Sequence, residues 1–222
     1  MQSMNKFGIR DWNSLQNPLI FENVDVMQLN MSYRQGPKLI KLAHYLYQQA
    51  TGKRAQYKCY LQDEKNTPDP LWYENNSMEA KASWIAKRVL EVKKAYNKVP
   101  SIAIFVNNKS EAQNLHDAFQ NDDSLIIAGI DVINCTANDE LTKPDSIRIF
   151  LIDRVKGMEF ETVFFYNIDE VIQTNLINQF LYVGLSRATF YLAVTSNELS
   201  NQQLMELSEK FIKNGKWIKR NR

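Results

Sequence analysis

The strongest constraint on this chain is the recurrence of short runs that are mostly apolar throughout, not at every second position. They fall at Val24–Leu29, Ile102–Val106, Leu125–Ile133, Ile147–Ile152, Thr162–Ile168 and Tyr191–Thr195. Strands of this kind are buried on both faces, as in a parallel sheet covered by helices. Helical patterns lie between them. Pro37 suits a first turn, Leu39, Leu42, Ala43, Leu46 and Ala50 follow at helical spacing, and Gly52 can close the end. A second helix is expected from Asn76, with Glu79 completing a capping box and Ile85, Val89, Val92 and Tyr96 on the buried face. Ser110 can cap a third that carries Leu115, Ala118 and Phe119. A fourth is expected over about Ile177–Ala188, and a fifth uses Leu204, Leu207 and Phe211. Strands alternating with helices predict an α/β layered domain. Gln62–Asn76, with Pro68 and Pro70 and few aliphatic residues, reads as a long surface loop.

A chain of 222 residues, 44% hydrophobic, can bury roughly 70% of its unfolded surface without a disulfide or metal staple. Cys59 and Cys135 form no C-x-x-C pair and have only His44 and His116 as possible co-ligands, which argues against a structural zinc site. His44, inside a helical pattern, reads as a surface or half-buried residue. The longest apolar stretch, near Leu125–Ile130, is far shorter than the roughly 18 residues that cross a bilayer. With no apolar signal core at the N-terminus, the expected location is the cytoplasm. The net charge of +2 hides an asymmetry, since Lys210, Lys213, Lys216, Lys219, Arg220 and Arg222 cluster at the C-terminus with no acidic residue among them. Such a tail can attract phosphate backbones, although a solvated, frayed end is the simpler reading.

Several chemistries are missing. No glycine stands in a G-x-x-x-x-G-K-[ST] frame, since Gly52-Lys53 is followed by Arg54, so the chain has no phosphate-cradling loop of its own. Asp169-Glu170 ends an apolar run as a magnesium-binding pair would, but without that loop the two read as ordinary loop or helix-start acids. There is no G-x-S-x-G elbow.

Three segments place polar groups where the scaffold should turn into loops: Leu29–Arg34, Val155–Phe164 and Gln179–Ala188. Tyr33-Arg34 resembles the N-Y-R motif IV of UvrD/Rep-type superfamily I DNA helicases. Lys156-Gly157-Met158-Glu159-Phe160 is similar to the K-G-L-E-F core of motif V, and Leu181–Ala188 to the L-Y-V-A-L-T-R-A of motif VI. The order is the family's, and the resemblance runs from Gly8 to about Ser196. It implies a RecA-like three-layer α/β domain with a mainly parallel central sheet, the second motor domain of such an enzyme. Residues 1–30 would be a lead-in, 31–197 the motor domain and 198–222 a C-terminal helix and basic tail. Gln2-Ser3-Met4 with Phe7-Gly8-Ile9 and Trp12 resembles the end of motif III, so the chain is expected to be a fragment. The phosphate loop and Mg2+ ligands would then belong to a preceding first motor domain. The interval between Arg34 and Lys156 is too short for the accessory domain that many relatives insert there.

The resemblance implies ATP with Mg2+ as cofactor, and as partners the N-terminal RecA-like domain and single-stranded DNA. Arg34 and Arg187 would be catalytic, as fixed cationic forks for γ-phosphate oxygens. Tyr33 would offer a ring face to adenine, Glu159 would accept from ribose hydroxyls, Gly157 would allow close backbone approach, and Gln2 would be the glutamine of motif III. Tyr182, Leu181 and Leu185 are read as packing. Asn107, Asn108, Lys109 and Arg154 are the candidate nucleic-acid contacts. The DNA half departs from the family. Leu151 and Asp153 replace a threonine and a histidine, Asn107 replaces an arginine, and Asn178-Gln179 replace an acidic-arginine lead-in. Because ligand groups in open α/β sheets gather at strand carboxyl ends, Tyr33, Arg34, Glu159 and Arg187 are expected there, solvent-facing along one edge.

Overall fold

The structure, a computed structural model, describes residues 30–61, 63–136, 146–173, 177–199 and 201–217. The strand expected at Val24–Leu29, the lead-in with Gln2, and Lys219, Arg220 and Arg222 lie outside these residues.

In chain order the elements are β1 (Met31–Ser32), α1 (Pro37–Thr51), β2 (Lys58–Cys59), β3 (Leu71–Glu74), α2 (Met78–Tyr96), β4 (Ile102–Val106), α3 (Lys109–Gln120), α4 (Asp123–Ile127), β5 (Asp131–Asn134), β6 (Ser146–Leu151), β7 (Phe160–Phe165), α5 (Ile177–Leu185), β8 (Ala188–Ser196), α6 (Gln202–Ser208) and β9 (Ile212–Lys213). Two 3-10 turns, Ile152–Arg154 and Ile168–Gln173, follow β6 and β7. The central sheet has seven strands in the order β5-β6-β4-β7-β8-β3-β9, with every described pairing parallel. β1 and β2 form a separate parallel pair.

The continuous apolar runs follow from helical cover on both faces. Along β4, Ala103 and Phe105 join one core with Leu39, Leu42, Leu46, Leu181, Leu185 and Leu204 of α1, α5 and α6. Ile102, Ile104 and Val106 point the other way, into a core with Ile85, Val89, Leu115 and Phe119 of α2 and α3. The result is the expected three-layer α/β architecture, consistent with a RecA-like domain.

Local chemistry accounts for most boundaries. Pro37 occupies the first turn of α1, and the Gly52 N–H returns to Gln48 O at 2.8 Å. α2 is capped by Ser77, one residue later than expected. Its Oγ accepts from Ala80 N and donates to Glu79 Oε2, while the Ser77 backbone N–H goes to Asn75 Oδ1, so the expected capping box does not form. α3 is capped by Asn108, not Ser110, through a bond from Glu111 N at 2.9 Å.

Two assignments change outright. The run Leu125–Ile133 is not one strand, because Asp122 accepts from Ser124 N and Leu125 N and starts the short helix α4, so β5 begins only at Asp131. Ile127 is 86% exposed, and its apolar character marks no core. The expected loop Gln62–Asn76 contains β3, wedged between β8 and β9. Trp72 is fully buried there and donates its Nε1–H to Ser196 Oγ at 3.0 Å. A search for aliphatic residues passes over a strand made by Trp72 and Tyr73, although aromatics favour strands as much as branched aliphatics do. The C-terminal segment is also more than a tail. β9 pairs with β3, and the Trp217 ring lies 4.7 Å from that of Tyr191. Among the described residues no helix is long and apolar enough to cross a membrane.

Candidate functional site

Chain segments far apart in sequence converge beside the start of β8. Met31, Ser32, Tyr33, Arg34 and Gln35, from β1 and the turn after it, line a cavity of about 390 Å3 with Tyr57, Tyr182, Ser186 and Arg187. Glu159 closes the group by pairing with Arg34. Tyr33, Arg34, Glu159 and Arg187 are thus brought together, but not at the expected end of the sheet. Glu159 immediately precedes β7 and Arg187 immediately precedes β8, with Phe160 N donating to Arg187 O at 3.1 Å. They sit at the amino ends of these strands. A crossover between parallel strands must run back the length of the sheet, so its last residues emerge at the end opposite to its first.

Exposure divides the four. Tyr33 is 67% exposed, and its ring lies 4.5 Å from that of Tyr60. Arg34 and Glu159 keep 46% and 41% of their side-chain surfaces exposed. Arg187, expected to face solvent, is only 3% exposed. Its Nε donates to Val183 O at 3.0 Å, Nη1 to Met158 O at 3.3 Å and Nη2 to Ser186 Oγ at 3.0 Å. Val183 lies in the last turn of α5, at the helix end that attracts cations, and its carbonyl accepts from Ser186 Oγ and from the guanidinium, which is thereby held inward. Burial first, and then the nearby Arg34 charge, lowers the Arg187 pKa from its ordinary value, while Glu159 and Tyr182 oppose that shift.

Gly184 sets how closely α5 lies on the sheet. A Cβ there would come within 2.7 Å of Ile152 Cδ1 and 3.3 Å of Phe165 Cε1, in the place where the resembled motif has alanine. Gly157 holds φ at +86° in the turn before Glu159, a conformation costly to residues with a Cβ. Gln35 was not singled out in the sequence, yet its buried Nε2 donates to Ala188 O at 2.6 Å and ties the β1 turn to β8. Tyr182, read as packing, lines the cavity and hydrogen-bonds Tyr57, whose hydroxyl pKa is raised by burial first and Tyr182 second. No simple spacing signals Gln35 or Tyr57, because both act through partners more than 120 residues away.

Asn107, Asn108 and Lys109 follow the carboxyl end of β4, and Arg154 follows that of the adjacent β6. This group therefore lies at the opposite end of the sheet. Asn107 Nδ2 donates to Asn167 O at 2.9 Å, and its backbone N–H to Glu111 Oε2 at 2.8 Å. The Asn108 side chain is occupied as the α3 cap. Lys109 and Arg154 are exposed. Behind them, Lys81 is 2% exposed and donates to Asn167 Oδ1 at 2.6 Å and Asn197 Oδ1 at 2.8 Å. Among the described residues no cluster of three or more histidine, cysteine or acidic side chains could hold a metal ion.

The fold has a counterpart among solved structures. The C-terminal domain of a possible DNA helicase from Lactobacillus plantarum WCFS1 superposes with a TM-score of 0.57 at 19% identity, over 83% of this chain and 99% of that one. No protein-family model matches the chain, and no curated protein matches it.

Proposed function

We propose that this chain is the second RecA-like motor domain of a UvrD-like, ATP-dependent DNA helicase or translocase. The observation that supports it best is the meeting of Arg34, Arg187, Glu159 and Tyr33 around one open cavity. The likeness in fold to a possible helicase C-terminal domain points the same way. The residues fit half of an ATP site. Two guanidiniums suit phosphate oxygens, and the exposed Arg34–Glu159 pair, worth about 0–1 kcal/mol, exchanges readily for a ligand. Arg34 and Arg187 would hold the phosphate oxygens, Tyr33 the adenine and Glu159 the ribose hydroxyls. Gln2 would approach from the segment outside the described residues. Bound ATP would supply the phosphoanhydride whose hydrolysis drives domain closure, and its Mg2+ ligands would come from the first motor domain. Single-stranded DNA would cross the carboxyl-end group, held mainly by Lys109 and Arg154, since Asn107 and Asn108 spend their side chains on the fold.

One observation favours a second reading, a non-catalytic RecA-like module for nucleic acid or protein: the Arg187 guanidinium already bonds three protein acceptors. Turnover separates the two. Joined to a first motor domain of this type, the chain should support DNA-stimulated ATP hydrolysis, whereas alone it should have none. Arg187→Ala or Arg34→Ala should lower kcat by roughly two to five orders of magnitude, with a smaller change in nucleotide affinity. Near-normal turnover in either variant would remove that arginine from the reading.

A further inference from the structure

A larger cavity, about 680 Å3, is bordered by Lys38 at the start of α1 and shares no lining residue with the proposed ATP site. β3 begins at Leu71, opposite Ala193, so the first residues of β8 have no strand on this side. The space that results is closed by Lys65–Asp69 before β3 and by Lys216 and Trp217 after β9. Its lining combines two chemistries. Lys38, Lys65 and Lys216 bring three ammonium groups against one carboxylate, that of Asp69. Lys38 is held by Asp69 at 2.8 Å and by Thr67 O at 2.9 Å. Lys65 and Lys216 are exposed and make no ion pair among the described residues. The other wall is aromatic. Phe190 and Tyr191 lie with ring centroids 4.9 Å apart, and the Trp217 ring is fixed by its Nε1–H bond to Asp69 O at 2.9 Å.

We infer that this cavity binds a nucleotide unit, its phosphate on Lys65 and Lys216 and its base against the half-buried Phe190 and Trp217 rings, which the buried Tyr191 ring backs. The volume falls in the range of small-ligand sites, roughly 300–1,000 Å3. Ring faces beside lysines are the combination that holds successive bases and phosphates of a single strand, and it is tolerant of sequence because every base has a flat face. Apolar ligands would leave the ammonium groups without a counter-charge, and an acidic peptide would leave the aromatic wall unused. The site is separate from the Arg34–Arg187 cavity, so the inference stands or falls independently of the ATP reading.

Fluorescein-labelled dT10 and unlabelled dTMP are titrated against the full chain, by anisotropy and by calorimetry respectively. The variants are Lys65→Glu with Lys216→Glu, Trp217→Phe, and, as a control of equal charge change, Lys53→Glu with Lys87→Glu, two exposed lysines that line neither cavity. The lysine pair is exposed and should fold normally. It should weaken binding of dT10 by at least roughly tenfold and flatten the salt dependence by about 1.4 in log–log slope, two phosphate contacts at about 0.7 each. Lys53→Glu with Lys87→Glu should leave both unchanged. Binding of dT10 much tighter than dTMP assigns the ligand to single strands, and comparable binding per site assigns it to free nucleotides; either outcome supports the site. Binding of both probes unchanged by the lysine pair, or polyglutamate displacing dT10 as effectively as unlabelled dT10 does, would overturn it.

Discussion

Lys81 offers the sharpest test of how the carboxyl end of the sheet is held. Its ammonium is buried, donates to Asn167 Oδ1 and Asn197 Oδ1, and sits 5.1 Å from the centre of the Tyr166 ring. Asn167 in turn donates to Glu111 Oε1 at 2.7 Å, and Asn197 to Asp169 Oδ2 at 2.9 Å. One amine thereby joins α2 to the ends of β4, β7 and β8. Lys81→Met keeps the stem volume, so no cavity opens, but one buried and one half-buried amide oxygen lose a charged donor. At about 1.5–3 kcal/mol per charge-assisted bond the gross loss is roughly 3–6 kcal/mol. The variant also avoids burying an ammonium, which offsets part of that. A net destabilisation of about 2–4 kcal/mol is expected, a fall in Tm of roughly 4–16 °C for a chain of this length. Circular dichroism melts and urea titrations read it directly. Burial lowers the Lys81 pKa, against the raising pull of Asp169, Glu111 and Glu170. The unfolded chain therefore binds this proton more tightly, and wild-type stability should rise with pH in the window just below the ordinary lysine value. Lys81→Met should lose that slope. An unchanged or higher Tm in Lys81→Met would refute the reasoning and show that the ammonium costs as much as it contributes.

Two further outcomes follow from the same geometry. Burial raises the Glu111 pKa, opposed by bonds from Asn107 and Asn167, so its contribution is present below the ordinary carboxylate pKa and lost as pH rises through the raised value. Stability melts from the ordinary carboxylate range up to neutral pH should show the wild type falling relative to Glu111→Gln, and parallel curves would count against a desolvated acid. Gly157→Ala meets no atom within 4 Å but must hold φ at +86°. It should lose about 1 kcal/mol, the net of roughly 1–2 of backbone strain and 0.4–1 of unfolded-state entropy, and an unchanged Tm would show that this turn relaxes.

The legible parts of the sequence were those whose signals are local and repeated. The apolar runs at Ile102–Val106 and Ile147–Ile152 are strands β4 and β6 to within a residue, because burial on both faces leaves a composition that needs no tertiary knowledge. Pro37 and Gly52 bound α1 for equally local reasons. β3 was hidden because its evidence is long-range: Trp72 is a strand residue by virtue of Ser196 and Val194, more than 120 positions away. Leu125–Ile133 misled because composition cannot tell a buried run from one broken by an Asp122 cap. In the candidate site, motif order brought Tyr33, Arg34, Glu159 and Arg187 to one place, yet not to its end of the sheet. That end depends on which strand each residue precedes. Nor did it show that Arg187 turns inward, which depends on the Val183 and Met158 carbonyls and the Ser186 hydroxyl around it.

The two clusters differ in how firmly they are built, and β8 connects them. Arg187 precedes the first residue of β8 and Asn197 follows its last, while Thr195 Oγ1 near the far end accepts from Asn167 N at 3.2 Å. At the carboxyl end the contacts are buried or half-buried and most are charge-assisted, so removing any one strands its partners at a cost of about 1–3 kcal/mol each. At the amino end the Arg34–Glu159 pair is half exposed and worth about 0–1 kcal/mol. A ligand arriving there can therefore displace Arg34 from Glu159 without disturbing the sheet. Arg187 is different, because moving it would break three bonds at once, to Val183 O, Met158 O and Ser186 Oγ. Adaptation to a ligand at this edge should begin at Arg34, with Arg187 as the fixed charge against which it closes.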